Sequence, residues 1–131
     1  MLERNGRTYF TSDELRCQGS GKLQLAPGFG ESLLGLRVDL DEVMLVNSAC
    51  RSAEHNADIG GHPRSLHVCD EPHHPTGGCC AIDIRANDAA YRARLVGLAL
   101  ERGWSVGVAN TFIHLDRRTD YIGGPPVLFT Y

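Results

Sequence analysis

The sequence predicts a small α+β domain in which helices flank an antiparallel sheet. The chain has 131 residues, which is the length of one domain, so we treat residues 1–131 as a single unit. Residues 88–102 carry the clearest helical pattern in the chain. Residues 104–108 and 111–115 are short apolar stretches around the turn residues Ala109 and Asn110, which is typical of two paired strands.

The first half of the chain predicts alternating short elements. In chain order these are a helix start at 11–15, a glycine-rich loop at 19–30, a short helix at 31–40, a buried strand at 42–47 and a helix at 52–59. Thr11 is a small polar residue followed by acids, which is typical of a helix N-terminus. Ser52 is expected to cap the helix at 52–59, and Gly60 to end it.

The second half predicts a loop, strands and the main helix. Residues 62–78 contain three prolines and no periodicity, so they predict a loop, and residues 80–84 predict a short strand. Asn87 is expected to cap the main helix, whose apolar stripe consists of Tyr91, Leu95, Leu98 and Ala99. Residues 127–131 predict an edge strand, because the two prolines before them cannot donate to a sheet.

Composition and charge exclude several classes of protein. The formal net charge is −3, which argues against a nucleic-acid binder. No apolar run is long enough to span a bilayer, and the first residues lack the apolar core of a signal peptide. We therefore expect a monomer that is made in the cytoplasm without a signal peptide. Five cysteines, an odd number, exclude a complete disulfide framework, and reduced thiols are expected there.

His67, Asp83 and His114 are the residues that most define the chemistry. Two imidazoles and one carboxylate can hold a catalytic zinc ion and leave a fourth position for water. His114 and Asp116 lie two apart on a predicted strand, so both face the same way, which suits a ligand and a carboxylate beside it. Taken alone, the pair is more typical of a surface histidine next to a solvated acid.

The order of several short motifs resembles the M15 zinc peptidases. The motifs are Ser48-Ala49-Cys50-Arg51, Glu54-His55-Asn56, Gly60-Gly61, Ser65-Leu66-His67, Ala81-Ile82-Asp83-Ile84 and Phe112-Ile113-His114-Leu115-Asp116. The opening segment Phe10-Thr11 to Cys17 is similar as well, so the resemblance runs over most of the chain. The most similar branch is the phage and bacterial peptidoglycan peptidases related to the D-alanyl-D-alanine carboxypeptidases. Such a resemblance implies the Hedgehog/D,D-peptidase-like fold.

The resemblance also implies roles for individual residues. His67, Asp83 and His114 would be the ligands of Zn²⁺. Arg51 would bind a substrate carboxylate or stabilise the developing oxyanion, with a surface ion pair as its alternative. Ser65 would contact substrate or shape the turn before His67. Glu54, His55 and Asn56 would cap a helix and support the ligands.

The sequence departs from the family pattern between the first two ligands. His67 and Asp83 are 16 positions apart, which is more than the family motif S-x-H-x-x-G-x-A-x-D allows. We interpret residues 68–79 as an inserted loop at the rim of the cleft, which is tolerable because closure costs grow slowly with loop length.

The same segment offers a competing metal site. A tract rich in Cys and His comprises His67, Cys69, His73, His74, Cys79 and Cys80. Its composition suits a structural zinc site, but its spacing fits no regular zinc finger. A disulfide from Cys69 to Cys79 or Cys80 under oxidising conditions, and plain buried thiols, are the other interpretations.

A second departure concerns the catalytic acid. Several branches of the family have a carboxylate three residues before the last zinc-binding His, and Thr111 stands there. Phe112 stands where related enzymes have the first His of an H-x-H motif. Asp116 is the nearest acid, and it can serve either as general base or as the group that orients a ligand.

The resemblance, together with the three candidate ligands, implies a zinc metallopeptidase that hydrolyses peptide bonds in the stem peptides of bacterial peptidoglycan. It would act as an endolysin-like endopeptidase or a D,D-carboxypeptidase, in a phage lysis protein or a virion component. The alternative is a non-catalytic module of a cell-wall-binding or virion protein that keeps zinc for stability, which the replacement at Thr111 and the long insert favour.

Overall fold

A five-stranded sheet forms the centre of the molecule in the computed structural model, which describes residues 1–70 and 76–131. The strands are β1 (Leu2–Arg4), β2 (Arg7–Phe10), β3 (Val46–Ser48), β4 (Ala81–Arg85), β5 (Ser105–Val108), β6 (Phe112–Asp116) and β7 (Leu128–Thr130). The helices are α1 (Ser12–Leu15), α2 (Phe29–Leu40), α3 (Ala53–Asp58), α4 (Ala89–Glu101) and α5 (Arg118–Tyr121). Strands β1 and β2 form a separate hairpin, and the other five form the sheet in the order β3-β4-β6-β5-β7.

The sheet separates an apolar face from a polar one. Successive residues of a strand point to opposite faces. In β4 this places Ile82 and Ile84 in the main core, and in β6 it places Ile113 and Leu115 there. Helices α2 and α4 pack against each other and α4 packs against β5, which closes this core. The intervening residues of β4 and β6 therefore project from the other face of the sheet, where the ligand candidates lie.

The predicted α+β class is confirmed, and most elements lie where they were expected. Thr11 caps α1 in a capping box with Glu14, and Ser52 caps α3 by accepting a hydrogen bond from the amide of His55. The residue that caps α4 is Asp88 and not Asn87, because the Asp88 carboxylate accepts the amide of Tyr91 at 2.8 Å.

Two other expectations need correction. The strand predicted over residues 42–47 is confined to β3, and Val43 and Leu45 are exposed and not buried. The predicted final edge strand exists as β7, but it pairs in parallel with β5, so the sheet is mixed. The chain turns through α5 after β6 and returns along the far side of β5, which gives β7 the same direction as β5.

The ends of the insert at 68–79 are held by backbone hydrogen bonds. The amide of Cys69 donates to the carbonyl of Arg51 at 2.8 Å, and the amide of Cys79 donates to the carbonyl of Gln24 at 2.8 Å. Gly78 has φ +149° and lies so close to the backbone of Leu25 that an added Cβ would be 2.7 Å from it. The central part of the insert, residues 71–75, is outside the described residues. In the part of the chain that the structure describes, no helix is long and apolar enough to cross a membrane.

Candidate metal centre

Strand pairing places two of the ligand candidates side by side. Asp83 of β4 is the direct register partner of His114 in β6. His67 joins them from the loop after α3, where its carbonyl accepts the amide of Arg51 at 2.8 Å. One ligand atom from each of the three side chains lies within 4.8 Å of the others, and all three side chains are buried. The structure therefore brings together three residues that lie far apart in the sequence.

Hydrogen bonds fix which nitrogen of each imidazole faces the third ligand. His67 Nδ1 lies 2.7 Å from the carbonyl oxygen of Ala49. A carbonyl only accepts, so Nδ1 donates to it, and Nε2 is the nitrogen that faces Asp83 Oδ1, at 3.2 Å. In His114 the roles are reversed: Nε2 donates to Asp116 Oδ2 at 2.8 Å, and Nδ1 lies 2.9 Å from Asp83 Oδ1.

These separations suit a metal ion. Four ligands about 2.0–2.2 Å from a tetrahedral Zn²⁺ lie roughly 3.3 Å from each other. The two distances from Asp83 Oδ1 to the imidazole nitrogens, 3.2 and 2.9 Å, approach this value. Each imidazole is also fixed through its second nitrogen by a carbonyl or a carboxylate, as is usual for histidines that bind metals. The donor set thus fits a divalent cation such as zinc.

The carboxylates of the site are held in their charged form. Burial alone would raise the pKa of Asp83, but hydrogen bonds from His114 and His67 outweigh it and hold that pKa well below its usual range. Burial likewise opposes ionisation of Asp116, and hydrogen bonds from His114 and Arg118 lower its pKa to about 2. Burial lowers the pKa of His114, whereas its hydrogen bonds to Asp116 and Asp83 raise it to about 9. The Asp83 carboxylate is therefore ionised, which is the form that binds a cation.

Arg51 contacts the centre through the other oxygen of Asp83. Its Nη2 lies 3.4 Å from Asp83 Oδ2, and the side chain is largely buried. Its Nε donates to Ser48 Oγ at 3.1 Å and its Nη1 to Asn56 Oδ1 at 3.3 Å. Asn56 in turn donates to the carbonyl of His62 at 2.8 Å. The guanidinium thus orients the ligand carboxylate and links it to β3 and α3.

Asp116 lies behind His114 and is closed off from solvent. Its exposed fraction is 0%. Its Oδ1 accepts from the amide and Nε of Arg118, both at 3.0 Å, and its Oδ2 accepts from Arg118 Nη2 and from His114 Nε2, both at 2.8 Å. Both oxygens are therefore engaged, which favours the orienting role over that of general base.

An open cleft of about 580 Å³ adjoins the centre. The residues that line it are His62, Arg64, Ser65, Leu66, His114, Arg118, Ile122 and Tyr131. Ser65 also accepts the amide of His67 through its hydroxyl at 3.3 Å, so it both shapes the turn and faces the cleft. One ligand candidate, His114, is thereby accessible from a cavity large enough for a short peptide.

The model of the Peptidase M15 family matches residues 8–116. The chain belongs to this family. No curated protein matches this M15 peptidase. Peptidases of this family are typically metal-dependent, which agrees with a His, Asp and His cluster at the side of an open cleft. The match ends with β6, so α5 and β7 lie beyond it.

The competing cysteine site has no support among the described residues. There, the one group that could hold a metal is His67, Asp83 and His114. All five thiols are free and buried. Cys69 and Cys79 pack with Cys50 in a small apolar cluster, while Cys80 lies in the main core. His73 and His74 lie outside the described residues.

Three contributors to the site were not expected from the sequence. The carbonyl of Ala49 fixes His67, the side chain of Arg118 holds Asp116, and His62 lines the cleft. A backbone carbonyl leaves no trace in residue type, so no sequence signal could have identified Ala49. His62 could have been identified from the sequence, because it lies between Gly61 and the motif of Ser65 and His67.

Proposed function

We propose that this chain is a zinc-dependent peptidase that hydrolyses peptide bonds in the stem peptides of bacterial peptidoglycan. The observation that carries the proposal is the geometry of the three ligands. Two imidazoles, each held through its second nitrogen, and one ionised carboxylate converge beside an open cleft in a member of a peptidase family. The peptidoglycan substrate rests on the resemblance of the motifs to the cell-wall peptidases.

Zinc is the metal that this donor set fits best. Imidazole nitrogens with a carboxylate oxygen are a usual catalytic set for Zn²⁺, whereas Mg²⁺ and Ca²⁺ prefer oxygen ligands. Zinc held by three such ligands supplies a Lewis acid that lowers the pKa of water and polarises a carbonyl group. His67, Asp83 and His114 would hold it.

The remaining residues orient the ligands and line the cleft beside them. Asp116 holds His114 through Nε2, and Arg51 holds the oxygen of Asp83 that faces away from the imidazoles. No acid is among the described residues that line the cleft, whereas the imidazole of His62 is one of them. Nδ1 of His62 accepts the amide of Arg64 at 3.0 Å, so its Nε2–H is left to donate a hydrogen bond to a carbonyl oxygen of the substrate.

The same chemistry suits a lytic enzyme. A chain that resembles phage peptidoglycan peptidases would act on the cell wall as a lysis protein or as part of a virion. This assignment rests on the resemblance alone.

Metal analysis of substituted proteins tests the ligand set. We expect the purified protein to bind one zinc ion, and His67→Ala and His114→Ala each to lose it. Cys79→Ser is the matched control, because Cys79 is buried and belongs to the inserted loop but does not contact the centre. Full zinc content in both histidine variants would disprove the assignment.

Turnover on purified peptidoglycan tests the activity. We expect the zinc-loaded protein to release muropeptide fragments, identified by mass spectrometry, and His62→Ala to release them more slowly with zinc still bound. The absence of an acid from the described lining of the cleft favours one other candidate, a zinc-stabilised wall-binding or virion module. Stoichiometric zinc binding without fragment release at any pH would establish that candidate instead.

A substitution of Arg51 separates its two proposed roles. Lysine keeps the charge but cannot reach Ser48, Asn56 and Asp83 together, because it lacks the planar fork of donors. If Arg51 mainly orients Asp83, Arg51→Lys lowers the affinity for zinc. If it mainly binds the substrate carboxylate, the variant keeps its zinc affinity and KM rises.

A further inference from the structure

One row of the sheet runs from the metal centre to the C-terminal strand. Asp83 pairs with His114, His114 pairs with Gly107, and Gly107 pairs with Phe129. Residues in register on neighbouring strands present their side chains to the same face. The side chains of Asp83, His114 and Phe129 therefore lie in line on one face of the sheet, and Gly107 lies between His114 and Phe129.

The glycine in this row creates the space that Phe129 fills. A Cβ built on Gly107 would lie 2.5 Å from Cε2 and 2.6 Å from Cζ of Phe129, and 3.0 Å from Tyr131. The ring of Phe129 thus lies directly over the backbone of β5. Any side chain at Gly107 would displace the ring, so the glycine and the aromatic residue form one unit.

The ring of Phe129 reaches the imidazole of His114. The ring centroids are 5.8 Å apart, with an angle of 50° between the planes. The ring of His67 packs on His114 as well, at 5.3 Å and 63°. Phe129 is half-buried and also contacts Tyr131 and the guanidinium of Arg118. The imidazole of His114 is therefore held by two aromatic contacts in addition to its hydrogen bonds.

We propose that Phe129 is a positioning residue for His114, and that Gly107 is required because it lets the ring reach the imidazole. This inference rests on the proposed zinc site. Hydrogen bonds restrain Nδ1 and Nε2 within the ring plane, whereas the Phe129 ring restrains tilt out of that plane and keeps water off the imidazole. A strand beyond the segment matched by the family thereby stabilises the ligand geometry.

Zinc affinity measured by competition with a chromophoric chelator tests the inference. We expect Phe129→Ala to weaken zinc binding about tenfold, as substitutions behind a metal ligand commonly do. Phe129→Tyr keeps the ring and should bind zinc as the wild type does. Leu128→Ala is the matched control, because Leu128 lies on the same strand but is exposed. Unchanged affinity in Phe129→Ala would overturn the inference while leaving the zinc site intact.

A double-mutant cycle separates positioning from a general loss of stability. If Gly107→Ala acts by displacing Phe129, it weakens zinc binding in the wild type and has little further effect in Phe129→Ala. Gly97→Ala is the control, because a Cβ there meets nothing within 4 Å. Additive effects of Gly107→Ala and Phe129→Ala would overturn the inference.

NMR of the zinc-free protein tests the contact between Phe129 and His114 without the metal. NMR of the histidine ring protons should show a shift of the His114 signals in both Phe129→Ala and Phe129→Leu, because the ring current of Phe129 is lost. Unshifted His114 signals in both variants would overturn the inference even if one variant unfolds partly. A wild-type protein that binds no zinc would overturn the proposed function and this inference with it.

Discussion

The substitution Asp116→Asn decides whether Asp116 orients His114 or accepts a proton. The carboxylate takes two hydrogen bonds on each oxygen, three of them from Arg118 and one from His114. An amide keeps one oxygen and turns its NH₂ toward the other two donors, so two of the four hydrogen bonds are lost. Each hydrogen bond to a charged group contributes about 1.5 kcal/mol at the lower end of the usual range. We use that end because the Arg118 side chain is 32% exposed.

The expected loss of stability in the zinc-free variant is therefore about 3 kcal/mol, measured by urea denaturation. The affinity for zinc should fall by about 10- to 100-fold, because His114 loses the charged partner that orients it. Saturating zinc should then restore much of the turnover. Asp120→Asn is the matched control: Asp120 pairs with Arg117 at 2.8 Å but is exposed, so stability should change by less than about 1 kcal/mol.

The opposite pattern would refute this reasoning. If Asp116→Asn binds zinc and unfolds as the wild type does, yet turns over no substrate at saturating zinc, then Asp116 is the proton acceptor. Its burial and its contacts with Arg118 would in that case serve catalysis and not ligand orientation.

Two further predictions concern the insert. Asp70 accepts the first amide of α3, from Ala53, at 2.7 Å, and a hydrogen bond from Lys22 lowers its pKa, so Asp70→Asn should cost about 1 kcal/mol at neutral pH. The stabilisation is present above the unfolded pKa of about 4 and is lost as the pH falls through the lowered folded pKa. The difference in stability between the two proteins should therefore shrink as the pH falls below about 4 in denaturation experiments; a difference that stays constant would contradict the prediction. Gly78→Ala should lower the free energy of unfolding by about 2–3 kcal/mol, measured by thermal denaturation, because the added Cβ would meet backbone atoms at 2.7 Å. Gly60→Ala is the control: Gly60 has φ +75° but open space around it, so its substitution should cost about 1 kcal/mol. Equal losses in the two variants would show that the close approach at Gly78 is unimportant.

The sequence predicted the fold class and most elements because local signals were strong. Thr11 and Ser52 are caps that form as expected, and the apolar residues of β4 and β6 alternate clearly. The hairpin of β1 and β2 was missed, although it turns at Asn5 and Gly6, which both have positive φ. The direction of β7 was not predictable, since it depends on how the chain returns after β6 and not on the residues of the strand.

Residue types in the metal centre were predictable, whereas their second partners were not. His67, Asp83 and His114 were singled out by chemistry and by the order of the motifs, and the structure brings them together. The roles of Asp116 and Arg51 stayed open, because they depend on which atoms they contact. Burial and hydrogen bonding favour orientation for both residues, since each contacts a ligand side chain.

The sheet register explains why a long insert between His67 and Asp83 is compatible with the site. The position of Asp83 is set by its pairing with His114, and not by its distance in sequence from His67. The segment of His67 is fixed independently, because the amide of Cys80 donates to the carbonyl of Leu66 at 3.0 Å and the segment pairs with the backbone of Arg51. Residues between these anchor points can be added at a cost that grows only slowly with loop length. Changes at the anchors or in the paired row should therefore affect the metal centre far more than changes within the insert.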